Sequence, residues 1–427
     1  MNRSKAPEIT RKIRPDNIEP AFFKLNDSVP VYMIQAGSQH IIKIDLIFKA
    51  GTWWQPKSLV ASTTNAMLSE GTENHTGSEI ADITDYYGSY LNTYTDRDHA
   101  FISVYTLSKH LDAIMPVLSE MIRNPSFPET ELTTYLERQK QFYKTEKNRV
   151  SILARDKYSV ALYGPLHPYG KQINPADFDK LNSQDLHKFH RRFYNTGYCQ
   201  IIVSGRFNEK EIIKKLNNLF YCSSLSSVPF PKSKQVKEKA SDKKRIFVPK
   251  KGAVQSALRI GKVLFNSKNP DYAGMMVLNN ILGGHFGSRL MQNIREKKGY
   301  TYSIGSVLTS LSNSGYITII SEIGNGYGKA TIKEIYKELN KLRNKPVSKK
   351  ELEITRSHML GAILRSFDGP FAWSESIKSI IEQDLDTGFF STLTDTIMSI
   401  SPRQLQELAI KYLDPEDMYE VMAGNRE

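Results

Sequence analysis

The stretch LGGHFGSRLMQNIREKKGYTYS, residues 282–303, gathers the residue types best suited to chemistry in this chain. Gly283, Gly284 and Gly287 are followed by Arg289, Arg295, Lys297 and Lys298, and then by Tyr300 and Tyr302. Such a composition suits a loop that holds something anionic. A Walker loop requires Gly, four residues and then Gly-Lys-Ser/Thr, but Gly287 leads into Ser288-Arg289. A dinucleotide fingerprint requires Gly-x-Gly-x-x-Gly directly after a strand, and neither the glycine spacing nor the helical DYAGMMVLNNI before it fits. His285 is a candidate ligand without a partner one helical turn away, so it is assigned no metal. Asp96, Asp98 and His99 in TDRDHAF cannot all share one face of an alternating strand, and a solvated strand end is expected there. His167 in LHPYG is expected to set a loop, and Trp53-Trp54 either to line a cavity or to cap a core.

These residues need a scaffold, and composition bounds it. At 427 residues, 40% hydrophobic and 24% charged, the chain is long enough for two ordinary cores. No stretch reaches the apolar length that spans a bilayer. The first twenty residues are basic but have no apolar centre and include Glu8, Asp16 and Glu19, so a cytoplasmic protein is expected. Cys199 and Cys222 have no metal or redox spacing and read as buried thiols. The net charge of +13 raises the question of nucleic acid. Its one dense source is the Ser/Pro/Lys segment 226–245, with seven Lys and Arg against two Asp and Glu. Without an aromatic or grooved partner for it, that segment reads as an exposed, flexible linker, and nucleic acid is excluded.

The linker separates two halves that repeat one order of elements. The first half runs IIKIDLIFKAG, ASTTNAMLSEG, HAFISVYTLSKHLDAIMPVLSEMI; the second runs VQSALRIGKVLF, AGMMVLNNILGG, SGYITIISEIGNGYGKATIKEIYKEL. Each continues into a charged helix opening on Glu-Leu and closes with a helix and a strand. The spacing predicts a duplicated α+β unit, each half a mostly antiparallel sheet with helices on one face. The expected boundaries are 1–225 for the first domain, 226–245 for the linker and 246–427 for the second.

A duplicated α+β chain carrying these motifs resembles the inverted-zincin peptidases of the insulinase and mitochondrial-processing-peptidase type. The resemblance is most specific in LGGHFGSRLMQNIREKKGYTYS and extends to SEGT, HPYG and YLDPEDMYEVMAG. It implies that the two domains form half of a chamber that encloses an unfolded peptide. Active members carry H-x-x-E-H on the first long helix, two histidines binding zinc and a glutamate activating water. Counting back from Gly71-Thr72 places Ser62, Asn65 and Ala66 at those positions, and none can serve. The downstream glutamate ligand would fall near 142–145, where the neighbouring Glu146 is the one acid and reads as a surface residue.

The second half keeps its part. The resemblance gives Arg295 and Tyr302, seven residues apart, a role reaching toward the zinc. A tyrosine hydroxyl can donate to the oxygen that gains charge as water attacks a peptide carbonyl. A guanidinium can grip the substrate backbone through several donors. Gly284 and Gly287 would let that backbone pass close. The chain is thus identified as the zinc-less subunit of a metalloendopeptidase, holding no cofactor itself. Zinc is expected in a homologous partner, with self-association as a homodimer the alternative, and peptides as substrates. The competing reading is a non-enzymatic scaffold or peptide-binding subunit of the same fold.

Overall fold

The computed structural model describes residues 19–25, 29–195, 197, 199–220, 231 and 236–425. Cys222 and most of the first part of the expected linker lie outside the described residues. The eleven strands in these residues form two sheets. The first contains β1 (Ala21–Leu25), β2 (Val29–Gln35), β3 (Ile41–Phe48), β4 (Tyr90–Thr95), β5 (Ala100–Leu107) and β6 (Cys199–Gly205). The second contains β7 (Arg245–Pro249), β8 (Gln255–Leu264), β9 (Thr301–Ser310), β10 (Gly315–Gly324) and β11 (Tyr419–Gly424).

The strand orders are β1-β2-β6-β3-β5-β4 and β7-β11-β8-β10-β9. With β1 set aside as an added edge strand, the two orders superimpose. In both, the opening strand pairs in parallel with the closing one (β2 with β6, β7 with β11), and every other pair is antiparallel. The repeat read from the sequence is therefore a repeat of topology, and the fold is α+β.

The central strands of each sheet are covered on both faces. In β3, Ile42, Ile44, Leu46 and Phe48 point into a core made with the first half's own helices. The alternate residue Ile47 joins Ile34, Phe101 and Ile202 against Ile377, Ile380 and Ile381 of helix Pro370–Ile381, which belongs to the second half. The exchange is reciprocal. Helix Val150–Tyr163 from the first half lies on β8 and β11, with Ala154 against Ala257 and Ala423, and Tyr158 and Tyr163 around Val421. Small residues permit that approach: a Cβ on Gly261 would come within 2.5 Å of the Tyr158 hydroxyl. Tyr158 in turn donates to the Ile317 carbonyl at 3.0 Å.

Because both faces are covered, charges on the exchanged face must be paired. Lys43 and Asp45 are each 1% exposed, with 2.7 Å between Nζ and Oδ2. Ser103 and Ser374 donate to the Asp45 carboxylate at 2.5 and 3.1 Å, and Glu375 closes the group on Lys43 and Lys378. The described end of the linker expected to be flexible is also held: the amides of Lys239 and Ser241 donate to the carbonyls of Tyr163 and Ala161.

Candidate functional site

Ser62, Asn65 and Ala66, the positions that the resemblance aligns with the zinc motif, fall on helix Val60–Ala66. Asn65 is 1% exposed and fully engaged. Its Nδ2 donates to the carbonyls of Tyr94 (2.8 Å) and Phe101 (3.1 Å), and its Oδ1 accepts from the Tyr194 hydroxyl at 3.0 Å. The Ser62 hydroxyl turns back onto the Leu59 carbonyl at 3.1 Å. Ala66 brings no donor atom. Glu146 is tied to Arg149 at 2.9 Å on the surface. The donor set does not fit a zinc ion, and among the described residues no group of three or more His, Cys, Asp or Glu could hold a metal ion. Asn65 instead acts as a structural clip between β4, β5 and the end of helix Ser183–Phe193.

The second-half motif is assembled with more care. Residues Asn280–Gly284 and Met291–Lys297 are both wound as π-helix, a form concentrated at functional sites. Within the first of them, Gly283 packs directly on β9: a Cβ there would lie 2.5 Å from the Ser306 amide nitrogen. The following segment is anchored by the Arg289–Glu351 pair, two bonds at 2.7 and 2.9 Å. Asn293 donates to Glu334 and Glu338 at 2.9 and 2.8 Å, and the first of these bonds holds the Glu334 carboxyl below its ordinary range. Gly299, with φ +67°, then turns the chain into β9.

Tyr302 occupies a β-bulge. Glu322 of β10 pairs with Ser303 and the next residue, Ile323, pairs with Thr301, so Tyr302 has no partner across the ladder. Hydroxyls stitch the irregularity. Thr301 Oγ1 donates to the Glu322 carbonyl at 2.5 Å and accepts from the Ser303 amide at 3.2 Å, and Ser321 Oγ lies 3.0 Å from Thr301 Oγ1. Bulges re-aim side chains, and the Tyr302 ring is 83% exposed. Tyr300 instead stacks on Tyr327 at 4.9 Å, with a ring packed toward the core.

The structure brings Arg295 and Tyr302 together: the guanidinium carbon lies 5.1 Å from the Tyr302 ring centroid. It also lies 4.6 Å from the ring of Phe286, a residue that the sequence reading passed over. An exposed aromatic between two glycines was the available signal. Gly284 and Gly287 are both exposed beside it. His285 stacks on His358 at 4.7 Å, and its Nδ1–H donates to the Asn280 carbonyl at 2.9 Å. Its Nε2 has no hydrogen-bond partner among the described residues. Burial, then His285, holds His358 below the usual imidazole value.

The remaining candidates are structural. The turn expected to be a solvated strand end is a buried latch, because it docks on the second half. Asp98 accepts from Tyr169 at 2.6 Å and from the Ser312 amide at 3.0 Å. Burial pushes the Asp98 carboxyl up and drives the His99 imidazole down to about 4. His167 stacks on Tyr163 at 5.0 Å and meets Trp53 edge-on at 5.5 Å, so Trp53 belongs to the core between the halves. Trp54 lines a cleft of about 420 Å³ with Phe189 and Phe193. Cys199 is buried and free.

Fold and site together define a duplicated α+β chain of peptidase type, with no cluster of metal-ligating side chains among the described residues. Residues 180–359 match the family described as peptidase M16 inactive domain, and residues 31–165 match insulinase, peptidase family M16. The chain belongs to peptidase family M16. It is 25% identical over 351 residues to the uncharacterized zinc protease YmxG of Bacillus subtilis, covering 80% of this chain and 82% of that one. It is 22% identical over 393 residues to the non-peptidase homolog YmxG of Helicobacter pylori, covering 90% and 89%. The crystal structure of a peptidase M16 inactive domain from Pseudomonas fluorescens has the same fold, with TM-score 0.86 at 22% identity over 96% of this chain and 98% of that one. No helix among the described residues is long and apolar enough to cross a membrane.

Proposed function

We propose that this chain is the non-zinc-binding subunit of a metalloendopeptidase complex that degrades peptides. It would supply Arg295, Tyr302 and half of the chamber wall to a homologous partner that carries H-x-x-E-H and the zinc. The observation that carries this reading is the contrast between the two motifs. Asn65 has become a clip in the fold, while Tyr302 is lifted by a bulge into solvent with Arg295 held against it. A scaffold has no use for an exposed tyrosine built that way.

In this reading Tyr302 donates its hydroxyl proton as a hydrogen bond to the substrate carbonyl oxygen as charge develops there. Arg295 binds the peptide backbone through its guanidinium edge. Gly284 and Gly287, with no side chains, leave the backbone room to approach. The test is reconstitution. The chain alone should contain no stoichiometric zinc and cleave no peptide, and mixing it with a zinc-bearing M16 partner should give activity that neither has alone. One tightly held zinc per chain, or no gain on mixing with a partner that binds it, would overturn the reading.

A second reading, a non-enzymatic scaffold or peptide-binding subunit, draws on the non-peptidase homolog of Helicobacter pylori and on the same loss of ligands at Ser62, Asn65 and Ala66. A complex that assembles and stays indifferent to loss of the Tyr302 hydroxyl would favour it.

A further inference from the structure

We infer that Phe286 is a positioning residue of this site: its ring and that of Tyr302 together clamp the Arg295 guanidinium and set the direction in which its N–H edge meets a ligand. The inference rests on the proposed role of Arg295 as a substrate contact and adds the residue that sets its aim.

The ring centroids of Phe286 and Tyr302 lie 4.6 and 5.1 Å from the guanidinium carbon, both within cation–π range. Polar contacts do little to fix Arg295. Its nearest charged neighbour is the adjacent Glu296 at 3.5 Å, at the outer limit of a hydrogen bond. The side chain is 26% exposed, so it is reachable. Without the rings, a long arginine at the end of a helix would sample many rotamers.

Phe286 does not earn its place by packing. It is 60% exposed, so burial in the core does not account for it, and its contact with the Arg295 guanidinium does. The loop around it is fixed from behind: His285 bonds to the Asn280 carbonyl, the Ser288 amide to the His285 carbonyl at 3.1 Å, and Arg289 to Glu351. The ring is therefore delivered by a rigid loop. A guanidinium donates only in its own plane, and ring contacts that fix that plane fix the direction of its donors. A fixed planar donor of this kind favours a flat acceptor, a peptide carbonyl or carboxylate, in the guanidinium plane.

Two measurements separate this inference from the proposed function. In the isolated chain with 15N-labelled arginine, assigned through Arg295→Lys, the Arg295 Nε–H resonance should be shifted upfield by the rings. Phe286→Leu should move it toward the free-arginine position and Phe286→Tyr should restore it, at unchanged thermal midpoint. An unmoved resonance in Phe286→Leu overturns the clamp, whatever the complex does. In the reconstituted complex, Phe286→Leu should raise KM on the order of fivefold, with kcat nearly constant. The double variant with Arg295→Ala should be no worse than Arg295→Ala alone. Additive losses would overturn the positioning role. If Arg295→Ala itself were silent while the resonance behaved as expected, the clamp would stand and the substrate role of Arg295 would fall.

Discussion

Tyr194 donates its hydroxyl to Asn65 Oδ1 at 3.0 Å, and the Asn65 amide reaches two strand carbonyls from the other side. These bonds predict that the position, which the resemblance aligns with a water-activating glutamate, does not accept one without cost. Asn65→Glu would set a carboxylate against the Tyr94 and Phe101 carbonyls, which offer it no donor. We expect this variant, alone or with Ser62→His and Ala66→His, to lose roughly 2–4 kcal/mol in urea denaturation. A triple variant that keeps wild-type stability and takes up one zinc would contradict the structural role given to Asn65.

Tyr302→Phe should leave assembly and thermal stability unchanged, because the ring is exposed and its stacking on Arg295 survives. In the reconstituted complex kcat should fall about 10²–10³-fold, the usual effect of losing one oxyanion donor. Arg295→Ala should act at least partly on KM, since a grip on the substrate backbone is also made before the transition state. Steady-state kinetics on several peptides decides both.

Thr301→Val tests the bulge rather than the tyrosine. It removes the hydroxyl that bridges Glu322 and Ser303 while keeping a β-branched shape. The strand should relax toward regular pairing and swing the Tyr302 ring. Activity should drop at least tenfold, although Tyr302 and Arg295 are both intact. Wild-type activity in Thr301→Val would show that the stitching does not position the ring.

Glu382 gives a pH dependence with a defined sign. Burial, followed by the nearby Asp96 charge, raises its carboxyl from 4.5 to about 8. The folded chain therefore keeps a proton that the unfolded chain releases, and this contribution is lost as pH rises from about 4.5 through 8. Glu382→Gln, which imitates the protonated form, should show a smaller fall in urea midpoint than wild type between pH 6.5 and 8.5, above the range in which the histidines titrate. The buried His99 and His190, both driven down to about 4, act in the opposite sense. Unfolding takes up their protons, so their contribution is lost as pH falls from 6.5 toward 4. Equal slopes for the variant and wild type would remove Glu382 from the account.

Much of this was legible in the sequence because it is local. Alternation in IIKIDLIF and QSALRIGKVL marks strands, and the repeated order of elements marks the duplication, which the matching strand orders bear out. The resemblance, rather than the spacing alone, singled out Arg295 and Tyr302, and the structure sets the Arg295 guanidinium carbon 5.1 Å from the Tyr302 ring centroid. What was hidden depends on distant partners. Lys43 and Asp45 alternate with apolar residues as a solvated face would, and only the arrival of helix Pro370–Ile381 shows that they are buried. The TDRDHAF turn looked solvated for the same reason: its cover, Ser312, comes from the other half. The bulge at Tyr302 and the ring of Phe286 leave no periodic trace, since each is a single residue defined by what faces it.

The reciprocal placement of helices Val150–Tyr163 and Pro370–Ile381 also speaks to origins and to folding. Severed between its halves, this chain would yield two pieces, each with an uncovered sheet and a helix that has nothing of its own to lie on. Neither piece should reach a native state unaided, and the two should rescue each other when refolded together. A half-length forebear would have met the same requirement by exchanging helices with a second copy of itself. In that light the polypeptide has the geometry of a helix-swapped dimer joined end to end, each half completing the sheet of the other.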